Sequence, residues 1–578
     1  MSRKELDVIH DRKNWHFVYA RRPKECLSAL LLGALIVIAW VLLGFLLYGF
    51  QLSGGWRFDD GHHLGFLSQY SNFEYIYNPE AARLQSGAHY TPFNILTYDL
   101  IHRLVPLTAP VWFYAFHIVL IGVATSALFL YLNLAIGRIG AICGAAVFIA
   151  GFPVAGMSGQ LMVGHYVIGF GFAGLCLYFY ERAAQEDRYS FLAVALFFLA
   201  CLSKEIFLPL ILFIALDPRF TFRRRLVRVL PWLAAVLAFW SLRTWVVGKV
   251  VGGYNDGLPV PPLIAVTDIL EGLYAYGTMT IGAVVMSLLV VACGLIAFIS
   301  LLQRFGPLNT AIIAGGAICG IFLPLLPVAP QVSPQAPTEI RLVSGLWFVL
   351  SLAVGFAMSK VAILSTVRQM RILVGGMVIL VTTWATVGYV RISPLFPFGR
   401  EFDAVSQHLF SRNACYIVDK YGWSSWLYDL NRAVWPQSSP PLMAPREILN
   451  AVGMPGHPIC EFDSAGMRGA GEVEAKQRCV TDGSLSLNFF YNGSHLIMNF
   501  GPSSESIYYI EVPGAYYLKL PAEFTMPFPD KKRLKVFRLM KINKHGKIDC
   551  SPILHFDPEA QPKLHWNRTA ITDSGAIH

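Results

Sequence analysis

Two adjacent carboxylates, Asp59 and Asp60, are followed at once by two imidazoles, His62 and His63, in the stretch Trp56-Arg57-Phe58-Asp59-Asp60-Gly61-His62-His63. Like charges held close together raise one of the two pKa values. Such a pair can therefore divide the work of a general base, one acid accepting a proton while the other tunes or orients. Three further polar sets stand far away in sequence: Lys204 with Glu205, Arg243 with Lys249, and Glu339 with Arg341. A phosphate would draw the cations and leave a carboxylate to take a proton from an attacking hydroxyl. His62 and His63 are also potential ligands for a divalent metal. Adjacent side chains point apart, so a metal is not the favoured reading and no cofactor is expected. The ordinary alternative for the cations is a structural ion pair, Lys204 with Glu205 and Arg341 with Glu339. For the first stretch it is a solvated loop.

These residues are placed by the apolar runs around them. The chain has 578 residues, 55% hydrophobic and 14% charged, against about 25% charged for a soluble domain. This is the composition of a multi-pass membrane protein. The net charge of +10 is orientation information rather than a nucleic-acid signal, because the basic residues cluster in short loops. Residues 1–25 are expected to be a cytoplasmic N-terminus, and the uncharged run from Cys26 to Phe50 a retained signal-anchor. Residues 51–110 then form a first exoplasmic loop, in which Asn94 to Leu104 reads as an interfacial helix. The acid pair stands at the mouth of a membrane helix, where ionisable groups are costly and usually functional.

The runs Val111–Ile136, Ile139–Tyr180 (long enough for two passes, broken near 156–164), Leu226–Val247, Ala275–Gln303, Pro307–Leu326, Leu342–Ser359 and Ile372–Val390 supply further passes. Phe191–Leu216 is interrupted at Lys204-Glu205 and followed by Arg219, Arg223, Arg224, Arg225 and Arg228. One straight helix would put that basic cluster outside, so two short arms are expected, with Lys204 and Glu205 lining a cavity at their tip. The sum is about 11 passes over a transmembrane domain of residues 26–391. His165 is read as a hydrogen-bonded structural residue and Cys201 as core packing.

Residues 392–578 carry no further span and read as a C-terminal exoplasmic α+β domain, β-rich in its second half. Glu401–Arg412 reads as a helix and Cys415–Val418 as a strand. Hairpins are expected about Asn492-Gly493 and His545-Gly546. Cys415, Cys460, Cys479 and Cys550 are disulfide candidates, an even set with three possible pairings that implies an oxidising compartment. Free buried thiols are the alternative. The sequence contains no Walker-type phosphate loop.

The chain resembles the GT-C fold glycosyltransferases, multi-pass enzymes that use polyprenyl-phosphate sugar donors. Phe58-Asp59-Asp60-Gly61-His62 is similar to the Asp-Glu-x-His stretch of the protein O-mannosyltransferases. Leu202-Ser203-Lys204-Glu205 with Pro209 is similar to the Leu-Ser-Lys-Glu segment of several GT-C families, ArnT-like ones among them. Thr338-Glu339-Ile340-Arg341-Leu342 resembles their Glu-Arg-Tyr-Leu stretch. The resemblance covers the membrane part only, and it departs at Tyr90-Thr91-Pro92, where many relatives have Arg before the Pro. It implies Asp59 as catalytic base and Asp60 as a second acid that orients the acceptor or tunes its neighbour. It implies Lys204, Arg341 and, third, Arg243 as contacts to the donor phosphate, with His62, His63, Glu205 and Glu339 lining the acceptor side.

The function expected on this basis is an inverting sugar transfer on the outer face of a membrane, most simply the bacterial inner membrane. The acceptor would be a glycolipid, lipopolysaccharide, cell-wall glycan or protein, and the partners are lipids and glycans, not nucleic acid. The rivals are a lipid or glycan transporter or flippase, an O-antigen polymerase or ligase, and a non-catalytic scaffold.

Overall fold

The structure, a computed structural model, describes residues 23–57, 59–67, 70, 73–85, 89–183, 186, 189–248, 264, 266–271, 281–326, 341–364 and 376 of the helical part. In the C-terminal part it describes 415–419, 427, 430, 433–434, 443–452, 457–463, 466–472, 488–491, 495–499, 506–512, 516–520, 523–527, 536–543, 548–551 and 554–555.

The helices in chain order are α1 (Pro23–Tyr48), α2 (Asp60–Leu67), α3 (Glu74–Tyr77), α4 (Pro79–Gln85), α5 (Pro92–His102), α6 (Pro110–Ile136) and α7 (Arg138–Ala150). Next come α8 (Phe152–Ser158), α9 (Gly164–Ala183), α10 (Tyr189–Ser203), α11 (Leu210–Ala215), α12 (Phe222–Val247), α13 (Ile281–Leu325) and α14 (Ser344–Leu364). Among the described residues five segments are long and apolar enough to cross a membrane: Leu31–Ser53, Pro110–Ile136, Leu161–Ala183, Phe222–Val247 and Arg341–Val361. The pair α7 and α8, bent by 51°, makes a sixth if it counts as one span.

The expected number of about 11 passes is therefore not reached among the described residues. Ile372–Val390 lies outside them. The two arms on either side of Lys204, Tyr189–Ser203 and Glu205–Ala215, are each too short to span alone. They are nonetheless the expected pair of short arms, because regular helix ends at Ser203 and a 3-10 turn runs over Glu205–Phe207. Likewise α13 is two helical stretches joined at Gly306, whose φ of 76° interrupts it between the two runs read from the sequence.

The bundle is built by close helix approach. α6 is central, packed on α1, α7 and α9, while α14 packs on α7 and α13. Gly122 of α6 lies directly under the backbone of α1: a Cβ there would stand 2.6 Å from Val41 Cα. The core runs through Ile118, Leu128, Phe148, Phe170, Phe207, Trp347 and Phe348. Trp347 Nε1 donates to Val147 O at 3.1 Å, so its one polar atom is satisfied inside that core. The outer faces stay apolar, with Leu35, Leu42 and Leu46 of α1 exposed, as lipid contact requires.

At one end of the bundle the segment 51–110 folds as a helical platform. Pro92 stands at the first turn of α5, where its missing N–H costs nothing. The segment Asn94 to Leu104, read as an interfacial helix with its apolar face down, falls largely on α5, which buries the polar Asn94 and Asp99 beside Ile95, Tyr98 and Ile101 and leaves Leu100 exposed. Trp56 packs edge-on against Phe113, with ring centroids 4.7 Å apart. Its Nε1 donates to Leu107 O at 2.8 Å.

The C-terminal strands are β1 (Tyr416–Val418), β2 (Met443–Ala444), β3 (Pro458–Asp463), β4 (Gly466–Glu472), β5 (Asn488–Tyr491), β6 (His495–Asn499), β7 (Ser506–Val512), β8 (Tyr516–Leu520), β9 (Glu523–Pro527), β10 (Val536–Asn543), β11 (Ile548–Cys550) and β12 (Leu554–His555), with α15 at Arg446–Val452. They form three small sheets, in the orders β2-β1-β3-β4, β11-β10-β7-β8 with β12 also on β10, and β5-β6-β9. Both expected hairpins are present: β5 pairs antiparallel with β6, and β10 with β11. Cys415 is bonded to Cys460, and Cys550 is also disulfide-bonded. Cys479 and Glu401–Arg412 lie outside the described residues. This region rests on the platform: Cys415, Ile417, Leu430, Met443 and Cys460 belong to one buried apolar cluster with Trp56, Leu64, Tyr98, Phe113 and Leu161.

Candidate functional site

Asp60 opens α2 and is almost fully buried, at 1% exposure. Arg57 N–H donates to its Oδ2 at 2.7 Å, and Tyr98 of α5 donates its hydroxyl to Oδ1 at 2.6 Å. Burial pushes its pKa up to about 7, against the two hydrogen bonds and the Arg57 guanidinium, which favour the charged form. Asp59, one residue earlier, is only half-buried, and its carbonyl accepts the His63 N–H at 3.0 Å. The two acids thus sit in different environments, one enclosed with both oxygens engaged, the other reaching the surface of the platform.

His63 is buried, and Asn94 of α5 bonds its Nε2 at 3.0 Å. Burial and the neighbouring His62 push its pKa down to about 3. His62 faces the other way, with Nε2 3.3 Å from Gln85 O. The two rings are 5.8 Å apart and tilted. Among the described residues no three His, Cys, Asp or Glu side chains come together as metal ligands.

The second half of the site is the break after α10. Glu205 Oε1 lies 3.2 Å from Arg243 Nε on α12 and 3.7 Å from His89 Nδ1, and its Oε2 lies 3.9 Å from Lys204 Nζ. Lys204 is buried and stands over the Tyr166 ring at 5.7 Å. The Lys204–Glu205 ion pair weighed from the sequence is therefore present. It is one contact of a wider cluster, since Lys204 also feels the charges of Arg243 and Arg341. His89 connects this cluster to the platform, and burial, with Lys204 next, lowers its pKa.

Arg341 reaches the site from the turn before α14. Its Nη1 donates to Gln160 Oε1 at 3.1 Å. The Gly159–Gln160 turn is shared, because Arg57 Nη1 donates to Gly159 O at 3.3 Å and to Gln51 Oε1 at 3.0 Å. One turn of chain thereby ties the start of the platform to Arg341. His165 completes the link: it lies within electrostatic reach of Lys204, His89, Arg341 and His63. It was read as hydrogen-bonded, but its Nδ1 is buried with no partner among the described residues.

Of the residues singled out from the sequence, Asp59, Asp60, His62, His63, Lys204, Glu205, Arg243 and Arg341 lie at this one end of the bundle. Phe58, Lys249 and Glu339 lie outside the described residues. Sequence reasoning missed Asn94 and Tyr98, which hold His63 and Asp60, as well as His89 and Gln160. The first two carried a signal: spaced i, i+4 on a helix they share a face, and a polar pair on the buried face of an amphipathic helix needs partners.

No protein-family model matches the chain, and no curated protein matches it at a significant level.

Proposed function

We propose that this chain is an integral-membrane glycosyltransferase that moves one sugar from a polyprenyl-phosphate donor to a hydroxyl acceptor on the outer face of the membrane. The observation that carries the reading is convergence. An acid pair at the start of α2, a buried Lys204 with Glu205 at a broken span, Arg243 of α12 and Arg341 before α14 meet at one end of an apolar bundle. In the reaction the acceptor oxygen forms a bond to the anomeric carbon, and the bond from that carbon to the phosphate oxygen breaks. The polyprenyl phosphate leaves as a stable anion, and the hydroxyl proton passes to a carboxylate. Asp59 is the base in this reading, because it is the acid of the pair that reaches the surface. Asp60 holds the turn and sets the local charge. Lys204 and Arg341, with Arg243 behind, stabilise the phosphate as its charge grows. Acceptor classes consistent with the site are a glycolipid, a lipopolysaccharide, a cell-wall glycan or a protein. The C-terminal region, whose β2-β1-β3-β4 sheet shares a buried cluster with Trp56 and Tyr98, helps to hold that acceptor in this reading.

A transporter or flippase is the second reading. It is favoured by the 51° break between α7 and α8 and by the break at Lys204, since transporters place broken helices around a polar site.

The test compares wild type with Asp59→Asn and Asp60→Asn, purified in detergent. Each receives a panel of radiolabelled polyprenyl-phosphate sugars and a crude envelope acceptor. Transfer by wild type, lost in Asp59→Asn with donor still bound, is the expected result. Loss only in Asp60→Asn moves the base by one residue. No transfer by wild type across a panel validated with a known enzyme sinks the reading in favour of transport.

A further inference from the structure

His63 and Asn94 leave a matched pair of unused hydrogen-bonding atoms. His63 Nδ1 and Asn94 Oδ1 are both buried and have no partner among the described residues. The bond between the two side chains fixes their roles. Asn94 Nδ2 is a donor, so His63 Nε2, 3.0 Å away, must accept, and the ring proton then resides on Nδ1. What remains is one donor, Nδ1–H, and one acceptor, Oδ1. Turning the Asn94 amide over exchanges these roles but still leaves one donor and one acceptor. Buried polar groups in native proteins are otherwise nearly always paired, and exceptions often have a functional reason.

We propose that His63 and Asn94 form a hydroxyl-reading subsite, in which the two unused atoms bind hydroxyl groups of the sugar that is transferred. The proposal rests on the glycosyl-transfer reading and adds to it which residues read the sugar. Its location fits that role. Asp60 opens the helix that carries His63 and Asp59 directly precedes it, and His63 acts electrostatically on His165 together with Lys204 and Arg341. The subsite therefore adjoins the acid pair and stands within electrostatic range of the group that also feels the cation cluster. A sugar whose anomeric carbon is attacked from the acid side, with its phosphate on the cation side, lies against it. The chemistry fits as well. Burial keeps the His63 ring uncharged at neutral pH, so it offers a directional hydrogen bond rather than a charge. A sugar hydroxyl both donates and accepts, and neighbouring hydroxyls satisfy one donor and one acceptor together. The sugar class implied is an uncharged hexose, with charged amino or carboxyl groups disfavoured at the positions facing His63.

The experiment uses the full chain in lipid nanodiscs. The probes are undecaprenyl phosphate and its glucosyl and mannosyl esters, compared across wild type, His63→Phe, Asn94→Leu and His63→Gln. Wild type is expected to bind a glycosylated lipid about tenfold more tightly than bare lipid phosphate, a ratio typical of well-placed hydrogen bonds. His63→Phe and Asn94→Leu lose that preference while holding bare undecaprenyl phosphate as wild type does. His63→Gln keeps a donor and an acceptor and retains most of the preference. Preference unchanged in both apolar variants overturns the subsite. Equal loss of bare and glycosylated lipid does the same, because it marks a merely structural pair. If wild type binds no polyprenyl phosphate at all, the glycosyl-transfer reading has failed, and saturation-transfer NMR with methyl glucoside and methyl mannoside decides the subsite. A ring signal abolished by His63→Phe sustains it, and no signal with either glycoside overturns it.

Discussion

Tyr98 donates its hydroxyl to Asp60 Oδ1 at 2.6 Å, and this bond joins the buried face of α5 to the first turn of α2. With Arg57 N–H on Oδ2, both oxygens of Asp60 are engaged in a site that water does not reach. The chain thus makes two identical neighbours unequal. Asp60 is spent on holding the turn, and the half-buried Asp59 beside it presents the accessible carboxylate. Adjacent residues on the chain point apart, and here that divergence becomes a difference in solvation.

The bond has a consequence for pH. Burial raises the Asp60 pKa from about 4 to about 7, so the folded protein holds this proton more tightly than the unfolded chain. The stability it contributes is complete below the unfolded value and is lost as pH rises through about 7. Unfolding free energy is therefore expected to fall between about pH 4 and pH 7, by up to about 1.4 kcal/mol per pH unit from this group, and to level off above that. Asp60→Asn removes that share of the slope. Tyr98→Phe removes a donor to the ionised form and moves the titration above that of wild type. Denaturant titrations at fixed pH, with the carboxyl infrared band followed in parallel, check both. A band midpoint that Tyr98→Phe leaves in place, or moves down, would show that the hydroxyl does not stabilise the carboxylate.

Glu205 gives a second expectation. It lies within 4 Å of Lys204, His89 and Arg243, and both Lys204 and Arg243 are buried. Removing the acid takes an ion-pair partner from each of two buried cations. Glu205→Ala is expected to cost about 3–5 kcal/mol, the range for breaking a buried pair from one side. Glu205→Gln keeps the shape and an acceptor and costs less. Pairing Glu205→Gln with Lys204→Met recovers part of the loss, because one stranded charge goes with the acid. Thermal melts of the purified variants in detergent rank the three. Equal melting of wild type and Glu205→Ala would mean that other groups neutralise the cluster.

The gross architecture was legible because its signals are long. Five of the long apolar runs are spans by length and composition among the described residues, regular helix breaks at Lys204, and the strands of both expected hairpins pair. The convergence of Lys204, Glu205, Arg243 and Arg341 was legible from charge placement alone. What stayed hidden depends on side-chain direction. Nothing in Asp59-Asp60 says which acid turns inward, since that is decided by Tyr98, 38 residues away. Asn94 was invisible for the same reason, its partner His63 being 31 residues distant.

The Cys415–Cys460 bond closes a separation of 45 residues and belongs to the same buried cluster as Trp56, Leu64 and Tyr98. Its loss acts in two ways. The unfolded chain of the C-terminal region gains freedom, an effect of about 2–5 kcal/mol for natural disulfides. The apolar contact that seats the region on α2 and α5 also loses its anchor. Cys415→Ala with Cys460→Ala is expected to make the sequence after Cys415 far more sensitive to limited proteolysis, while α6 and α9 keep their protection. A reducing agent should give at least that effect, because it opens the Cys415–Cys460 bond together with the disulfide at Cys550. Under the proposed glycosyl transfer, the same treatment should lower affinity for the acceptor more than for the lipid donor, since the cations lie at the bundle end and Cys415 and Cys460 pack on the platform. Equal losses for both would place the C-terminal region in maintaining the platform rather than in holding the acceptor.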